Sequence, residues 1–213
     1  MRPSGTLDAF RVTPFPHRLV FARHGETDYN AESRLQGQRD IPLNAHGRNQ
    51  AAAVGRTLRA RIRPEIDQLE AVEAFVASPL QRAMETMELV RGAMGLEPRR
   101  YRVDPRLMEL SFGDWEGHTW AEIKARDPQS IARRRADKWN FVPPGGESYA
   151  MLAERVRLWL VTLAGDAVVV AHGGTARALM TLIAGVPGAV SAGTPIVQGR
   201  ALLFDKGGFR PLD

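Results

Sequence analysis

Short apolar runs of strand length alternate along this chain with longer stretches of helical periodicity, and that alternation narrows the fold more than any other feature. Residues 18–22 (RLVFA), 72–77 (VEAFVA) and 167–171 (AVVVA) are short and rich in the residues that suit buried strands. Between the first two, Val54, Leu58 and Ile62 recur every four residues behind a capping Asn44, and Pro64 is expected to close that helix. Leu80, Ala83, Met87, Val90 and Met94 form a second apolar stripe, opened by Pro79 as a first helical residue and ended by Gly95. Leu152, Val156, Trp159, Leu160 and Leu163 mark a third helix, and residues 175–184 a fourth. Weaker strand patterns fall at 101–103 and, as the last strand, within 199–204. Strands alternating with helices predict the α/β class, with a mostly parallel sheet covered on both faces.

At 213 residues the chain is about 1.4 times a typical domain of roughly 150 residues, so one domain with an insertion is expected rather than two. Residues 106–146, where glycine, tryptophan and charged residues dominate, read as that insertion, a small cap with short helices near 119–126 and 129–138. Residues 1–17 read as a flexible N-terminal extension and 18–213 as the domain. With 44% hydrophobic and 25% charged residues, disorder as the main state is excluded. No apolar run approaches the roughly 18 residues of a membrane span, and residues 1–17 lack the apolar stretch of a signal peptide. Together with the absence of cysteine, which excludes disulfides and thiolate chemistry, these features lead to the expectation of a cytoplasmic protein. The net charge is +5, and all basic residues but Lys124, Lys138 and Lys206 are arginine, whose planar fork suits phosphate.

In sheets of this kind ligands gather at the carboxyl ends of the strands. The first strand is followed by Arg23-His24-Gly25, the second by Ser78-Pro79-Leu80-Gln81-Arg82, and the 167–171 strand by His172-Gly173-Gly174. Two histidines and two arginines therefore converge on one edge. Gly25 and Gly173 let the backbone approach a ligand, and helix N-termini add N–H donors, a combination suited to a phosphoryl group. A neutral imidazole is a competent nucleophile, and cationic side chains supply the charge stabilisation that phosphoryl transfer needs. The departing alkoxide needs a proton. Glu109, where the cap meets the sheet, is the candidate acid, its pKa expected to rise beside a phosphate dianion; Glu116 in the same loop is the rival carboxylate. The residues alone leave open which histidine attacks.

The stretch LVFARHGETDYNAESRLQGQRDIPLNAHGRNQA, followed in order by ASPLQRAMET, MELSFGDWEG, PPGGES and VVAHGGTARAL, resembles the histidine phosphatase superfamily, also called phosphoglycerate-mutase-like. The resemblance implies a three-layer α/β/α sandwich with a mostly parallel sheet and a small helical cap. It implies that His24 is phosphorylated, that Arg23, Arg82 and His172 surround the phosphoryl group, and that Glu109 donates the proton. Asn30, Gln36, Gly37 and Gly173 are implied on the substrate side, with no metal and no cofactor. Mutases of the family carry a longer insertion after the catalytic glutamate; residues 111–148 here look like the phosphatase branch, with water as acceptor. The expected activity is a metal-independent phosphatase that hydrolyses a small phosphate monoester through a phosphohistidine. Mutase-type phosphoryl transfer and hydrolysis of alpha-ribazole phosphate are the alternatives. Arg126, Arg133, Arg134, Arg135 and Lys138 leave room for a grip on a second acidic group.

Plainer readings stand beside these. His17, His46 and His118 suit solvated positions, the run Arg133 to Arg135 suits an exposed helix face, and Trp115, Trp120 and Trp139 suit either core or pocket wall. A nucleic-acid-binding module has only the positive charge in its favour, with no binding motif to support it. An idle scaffold is disfavoured because every catalytic residue type is present. The expected partner is a small phosphorylated metabolite, with neither nucleic acid nor membrane, and a homodimer is compatible with the sequence.

Overall fold

The computed structural model describes residues 12, 15–66 and 75–212. Six strands, β1 (Leu19–Arg23), β2 (Phe75–Ala77), β3 (Arg102–Val103), β4 (Ala167–Ala171), β5 (Ala201–Asp205) and β6 (Gly208–Leu212), form one sheet in the order β3-β2-β4-β1-β5-β6. The pairs β2/β3, β2/β4 and β1/β4 are parallel, while β1/β5 and β5/β6 are antiparallel, giving a mixed sheet whose central strands match the expected parallel core. The helices are α1 (Asp28–Ala31), α2 (Ala45–Ile66), α3 (Gln81–Met94), α4 (Trp120–Arg126), α5 (Pro128–Ala136), α6 (Tyr149–Leu160), α7 (Gly173–Leu182) and α8 (Gly188–Ser191).

Alternation of side chains along the strands divides the core. Val20, Ala22, Val168 and Val170 pack with Val54 and Leu58 of α2 and Met87 and Val90 of α3. Leu19, Phe21, Val169 and Ala171 face Leu152, Val156 and Trp159 of α6 and Leu179 of α7. The result is the expected three-layer α/β/α sandwich. Val168, Val169 and Val170 are fully buried, which explains why β4 is uninterrupted apolar sequence; each contributes about 1.5–3 kcal/mol by leaving water. The core also takes Phe15, from the segment read as an extension, and Val12 N–H donates to Leu182 O at 2.9 Å. Among the described residues no helix is long and apolar enough to cross a membrane.

Several boundaries differ from the sequence reading. Residues 72–74 of the second expected strand lie outside the described residues, and the described part is Phe75–Ala77. Pro64 does not close α2, which runs to Ile66, although its expected cap holds: Asn44 Oδ1 accepts from Gly47 N–H at 2.8 Å. A proline removes only its own N–H bond, and in the last turn there is little helix left to break. Pro79 is not a first helical residue, because Leu80 is the extended N-cap and its carbonyl accepts from Ala83 and Met84 N–H. The helix expected at 175–184 begins two residues earlier, at Gly173. The last strand is β6, which follows β5 through a tight turn with Lys206 and Gly207 both at positive φ. Its mostly exposed sequence, GFRPL, lacks an apolar pattern, and its proline suits a sheet edge.

Candidate active site

Because β4 lies between β1 and β2, three neighbouring strand ends release Arg23-His24, His172 and Ser78 side by side. The ladder continues one residue past each flanking strand, with His24 N–H donating to Ala171 O at 2.9 Å and Ser78 N–H to Val170 O at 3.0 Å. That rigid edge fixes where the side chains start. Above it lies a cleft of about 290 Å³ whose walls include Arg23, His24, Asn30, Gln36, Gly37, Arg82, Glu109 and Gly173, eight of the nine residues singled out from the sequence.

The ninth, His172, is fully buried beneath the cleft, its ring 5.1 Å from that of His24. This difference separates two histidines that the sequence could not rank. His24 Nδ1 donates to its neighbour's carbonyl, Gly25 O, at 2.7 Å, which leaves Nε2 as the nitrogen with a lone pair. His172 Nε2 lies 2.7 Å from Ser78 Oγ, and its Nδ1 is buried without a protein partner. Ser78 Oγ also accepts from Leu80 N–H at 3.4 Å; when it gives its own proton to His172 Nε2, Nδ1 carries the imidazole proton. Burial, and then the charges of Arg82 and Arg23, push the His24 pKa well below 6.5; burial, Arg82 and His24 itself do the same to His172.

Arg82, fully buried in the first turn of α3, donates from Nη2 to Gly37 O and from Nη1 to Arg39 O, both at 2.7 Å. Burial lowers its pKa to about 10, so it stays cationic at neutral pH. Arg23 donates from Nη1 to Ile196 O at 2.8 Å, and burial lowers its pKa also. In both guanidiniums Nε is buried without a protein partner, as is Gln36 Oε1. Such orphaned groups are rare in native interiors, and these three belong to residues that line the cleft, where the two guanidinium N–H groups suit an anion. Asn30 Oδ1 accepts from Thr27 N–H at 3.2 Å and from Gln198 Nε2 at 2.9 Å, which turns the amide nitrogen towards the cleft. Gly173 opens α7, so its N–H has no intrahelical acceptor.

The two candidate carboxylates have different surroundings. Glu109 lines the cleft, and its Oε1 accepts from Gly174 N–H at 3.0 Å and from Leu110 N–H at 2.8 Å. A Cβ on Gly174 would collide with that oxygen, which is why a glycine stands there. Glu116 instead knots the loops below. Its Oε1 accepts from Gln38 N–H and Phe112 N–H, each at 3.0 Å, and it packs where a side chain on Gly37, at φ +53°, would sit. The segment that carries Glu109 is clamped from behind by Arg155, which donates to Arg106 O at 2.8 Å and Met108 O at 2.9 Å and pairs with Glu147 at 2.8 Å. Glu147 belongs to the PPGGES block, so a signal for this clamp was present in the sequence without a role attached.

The histidine phosphatase superfamily (branch 1) profile matches residues 19–198. The chain belongs to that superfamily. It is 37% identical over 183 residues to a glucosyl-3-phosphoglycerate phosphatase of Mycobacterium tuberculosis, with 80% of this chain and 76% of the relative covered. A mycobacterial glucosyl-3-phosphoglycerate phosphatase, solved in complex with VO3, superposes with a TM-score of 0.75 at 33% identity, covering 92% of this chain and 97% of that one. A putative alpha-ribazole-5′-P phosphatase from Escherichia coli shares the fold, with a TM-score of 0.71 at 24% identity over 92% of this chain and 94% of that one.

In this histidine phosphatase the cap forms the outer wall of the cleft, and here sequence reasoning missed most of the lining. Arg34, Leu110, Phe112, Tyr149 and Arg177 face the cleft along with Trp120, Arg134 and Lys138. Of the five basic cap residues that left room for a second grip, only Arg134 and Lys138 do so; Arg126 lies 3.0 Å from His118 and Arg133 donates to Ser130 Oγ at 2.7 Å. Trp115 is buried in a cap core with Ile123 and Ile131, and Trp139 stacks on Tyr149, so of the three cap tryptophans only Trp120 is pocket wall. Arg177 carries no isolated sequence signal, since it lies one turn into a helix whose other features read as core.

The depressed histidine pKa values make stability depend on pH. Below 6.5, the ordinary value, an unfolded chain protonates both imidazoles while the folded chain keeps them neutral, so acid favours unfolding. Their contribution is complete above pH 6.5 and declines as pH falls through the window down to the folded-state values. The slope there reaches about 1.4 kcal/mol per pH unit for each histidine. Denaturant unfolding between pH 7.5 and 5 is expected to show this decline, with a smaller slope in His24→Asn; a flat profile would contradict the burial of neutral imidazoles.

Proposed function

We propose that this phosphomonoesterase hydrolyses a small phosphorylated metabolite through a phosphohistidine at His24. The observation that carries the reading is the placement of His24: held by Gly25 O through Nδ1, its pKa pushed down by burial and by Arg82 and Arg23, it presents Nε2 to a cleft that those two guanidiniums also line. Nε2 attacks phosphorus in line as the P–O ester bond breaks, and Glu109 gives its proton to the departing alkoxide. Arg23, Arg82, Asn30, the Gly173 N–H and His172 Nδ1 hold the three equatorial oxygens, where charge concentrates in the transition state. Glu109 then takes a proton from water, which attacks the phosphohistidine and releases inorganic phosphate with His24 regenerated. Water is the acceptor in this reading because the cap after Glu109 is short, with a single 3-10 turn at Gly113–Trp115 followed by α4 and α5.

Rapid-quench labelling with a ³²P-phosphomonoester is expected to yield an acid-labile, base-stable adduct on His24, and hydrolysis is expected to outrun transfer between phosphoglycerate isomers. Absence of the adduct during turnover, or activity abolished by EDTA and restored by magnesium, would overturn the reading. The relatives named for glucosyl-3-phosphoglycerate direct the first substrate screen to sugar and glycerate phosphates.

A further inference from the structure

We propose that Gln198 is a positioning residue for phosphoryl transfer, which holds the Asn30 amide with its nitrogen towards the phosphoryl group by passing on a hydrogen-bond direction set by the backbone of His24. This role rests on the catalytic reading above and adds a residue that does not itself line the cleft. Topology brings it there. β1 and β5 are antiparallel, with Ala22 beside Ala201, so the chain just before β5 meets the carboxyl end of β1, where His24 emerges. Residues 194–198 cross that end and already serve the site through their backbone, since Ile196 O accepts from Arg23 Nη1 at 2.8 Å. Gly199, at φ +72°, turns the chain between Gln198 and β5. Gln50 of α2 packs where a side chain on Gly199 would lie, and its Oε1 accepts from Glu26 N–H at 2.9 Å. The crossing is thereby anchored to the loop that follows His24.

A side-chain amide presents an acceptor and a donor that exchange places when it turns over, so its partners set its direction. Asn30 belongs to α1, a helix of only four residues, which has little rigidity of its own. Its Oδ1 accepts from Thr27 N–H at 3.2 Å, at the cap of that helix, and from Gln198 Nε2 at 2.9 Å, from 168 positions further along the chain. The Gln198 amide has the same two-way choice, and His24 removes it. Gln198 Nε2 lies 3.3 Å from His24 O, and a backbone carbonyl only accepts. Nε2 is therefore the donor to both partners, Asn30 Oδ1 is an acceptor, and Asn30 Nδ2 is the atom left for the cleft that Asn30 lines. Reversed, Asn30 would set an oxygen against the phosphoryl oxygens. Donors aimed in advance at the place where negative charge develops stabilise the transition state, so the direction of this amide bears on rate.

A double-mutant cycle tests this, read on kcat/KM for p-nitrophenyl phosphate and on inhibition by orthovanadate, a mimic of the transferring phosphoryl group. Gln198→Leu removes the donor and keeps the bulk. It is expected to lower kcat/KM about 10-fold, the size of one hydrogen bond, and to weaken vanadate inhibition by a similar factor. Gln198→Glu offers Asn30 only acceptors, turns its Nδ2 away from the cleft, and is expected to cost about 100-fold. Asn30→Ala is expected to cost about 100-fold, and in that background Gln198→Leu is expected to cost less than about 3-fold, because the group it positions is gone. A merely structural role lowers the melting temperature and acts equally in both backgrounds. Should Gln198→Leu fail to fold, as judged by its melting temperature, Gln198→Glu completes the cycle, with its loss expected to shrink at least about 5-fold in Asn30→Ala. Equal losses in both backgrounds, or folded Gln198 variants with wild-type kinetics, overturn the role of Gln198 and leave the catalytic reading standing. A wild-type protein inactive on every phosphomonoester overturns the catalytic reading and the role of Gln198 with it.

Discussion

His24→Ala is expected to lower kcat/KM for any phosphomonoester by on the order of 10⁵-fold and to abolish the phosphoenzyme, whereas His172→Ala keeps a detectable phosphoenzyme and loses about 10²- to 10³-fold. The two histidines leave neighbouring strand ends and sit 5.1 Å apart, yet the proposed mechanism gives them different work. His24 faces the cleft with a lone pair on Nε2, fixed there by Gly25 O, and without it no covalent step remains. His172 lies beneath, with one nitrogen engaged by Ser78 and the other positioned as a single donor. Removing one donor aimed at a developing negative charge costs two to three powers of ten, far less than removing the nucleophile. Quench-flow labelling combined with steady-state kinetics separates the two. A His172→Ala protein that is folded but forms no phosphoenzyme, beside a His24→Ala protein that still forms one, would exchange the assignments.

Glu109→Gln is expected to slow alkyl esters such as sugar or glycerate phosphates by about 10²- to 10⁴-fold, and an activated aryl phosphate much less. A poor alkoxide leaving group needs a proton in the transition state, and an aryl oxide does not. Glutamine keeps the shape and the contacts with Gly174 and Leu110 but has no proton of comparable acidity to give. Glu116→Gln is expected to act on stability instead. It weakens the acceptor that ties Gln38 to Phe112, at a cost of about 1–2 kcal/mol, and lowers the melting temperature with no dependence on the leaving group. A steep leaving-group dependence in Glu116→Gln with a flat one in Glu109→Gln would mean that the wrong carboxylate has been assigned.

Much of this was legible in the amino-acid order because the relevant signals are local. β4 reads as a strand because both of its faces are buried, and buried parallel strands are continuous apolar sequence. The stripe from Leu80 to Met94 reads as a helix because a single face packs on the sheet, and Gly95 ends it in a left-handed cap. Arg23, His24, Arg82 and His172 were identifiable because parallel sheets gather ligands at strand ends, and each of these residues stands within a few positions of one. β6 was not legible, since an exposed edge strand has no core to impose a pattern on it.

The sequence by itself therefore determined the α/β class, the layers and the residue types gathered at the candidate site, through periodicity and strand-end chemistry. Only the tertiary structure decided how those residues are arranged. The insertion of β4 between β1 and β2, a pairing nearly 150 residues apart in the chain for β1, sets His172 between His24 and Ser78 and pushes it below the cleft. Folding of the cap over the sheet separated Glu109 from Glu116, seven positions apart and chemically identical, by giving one the N-terminus of α7 and the other a knot of loop amides. It also gathered Arg134, Lys138 and Arg177 from two regions of the chain about 40 residues apart. Local sequence carries no information about such distant pairings, because the interactions that fix them exist only once the core has closed.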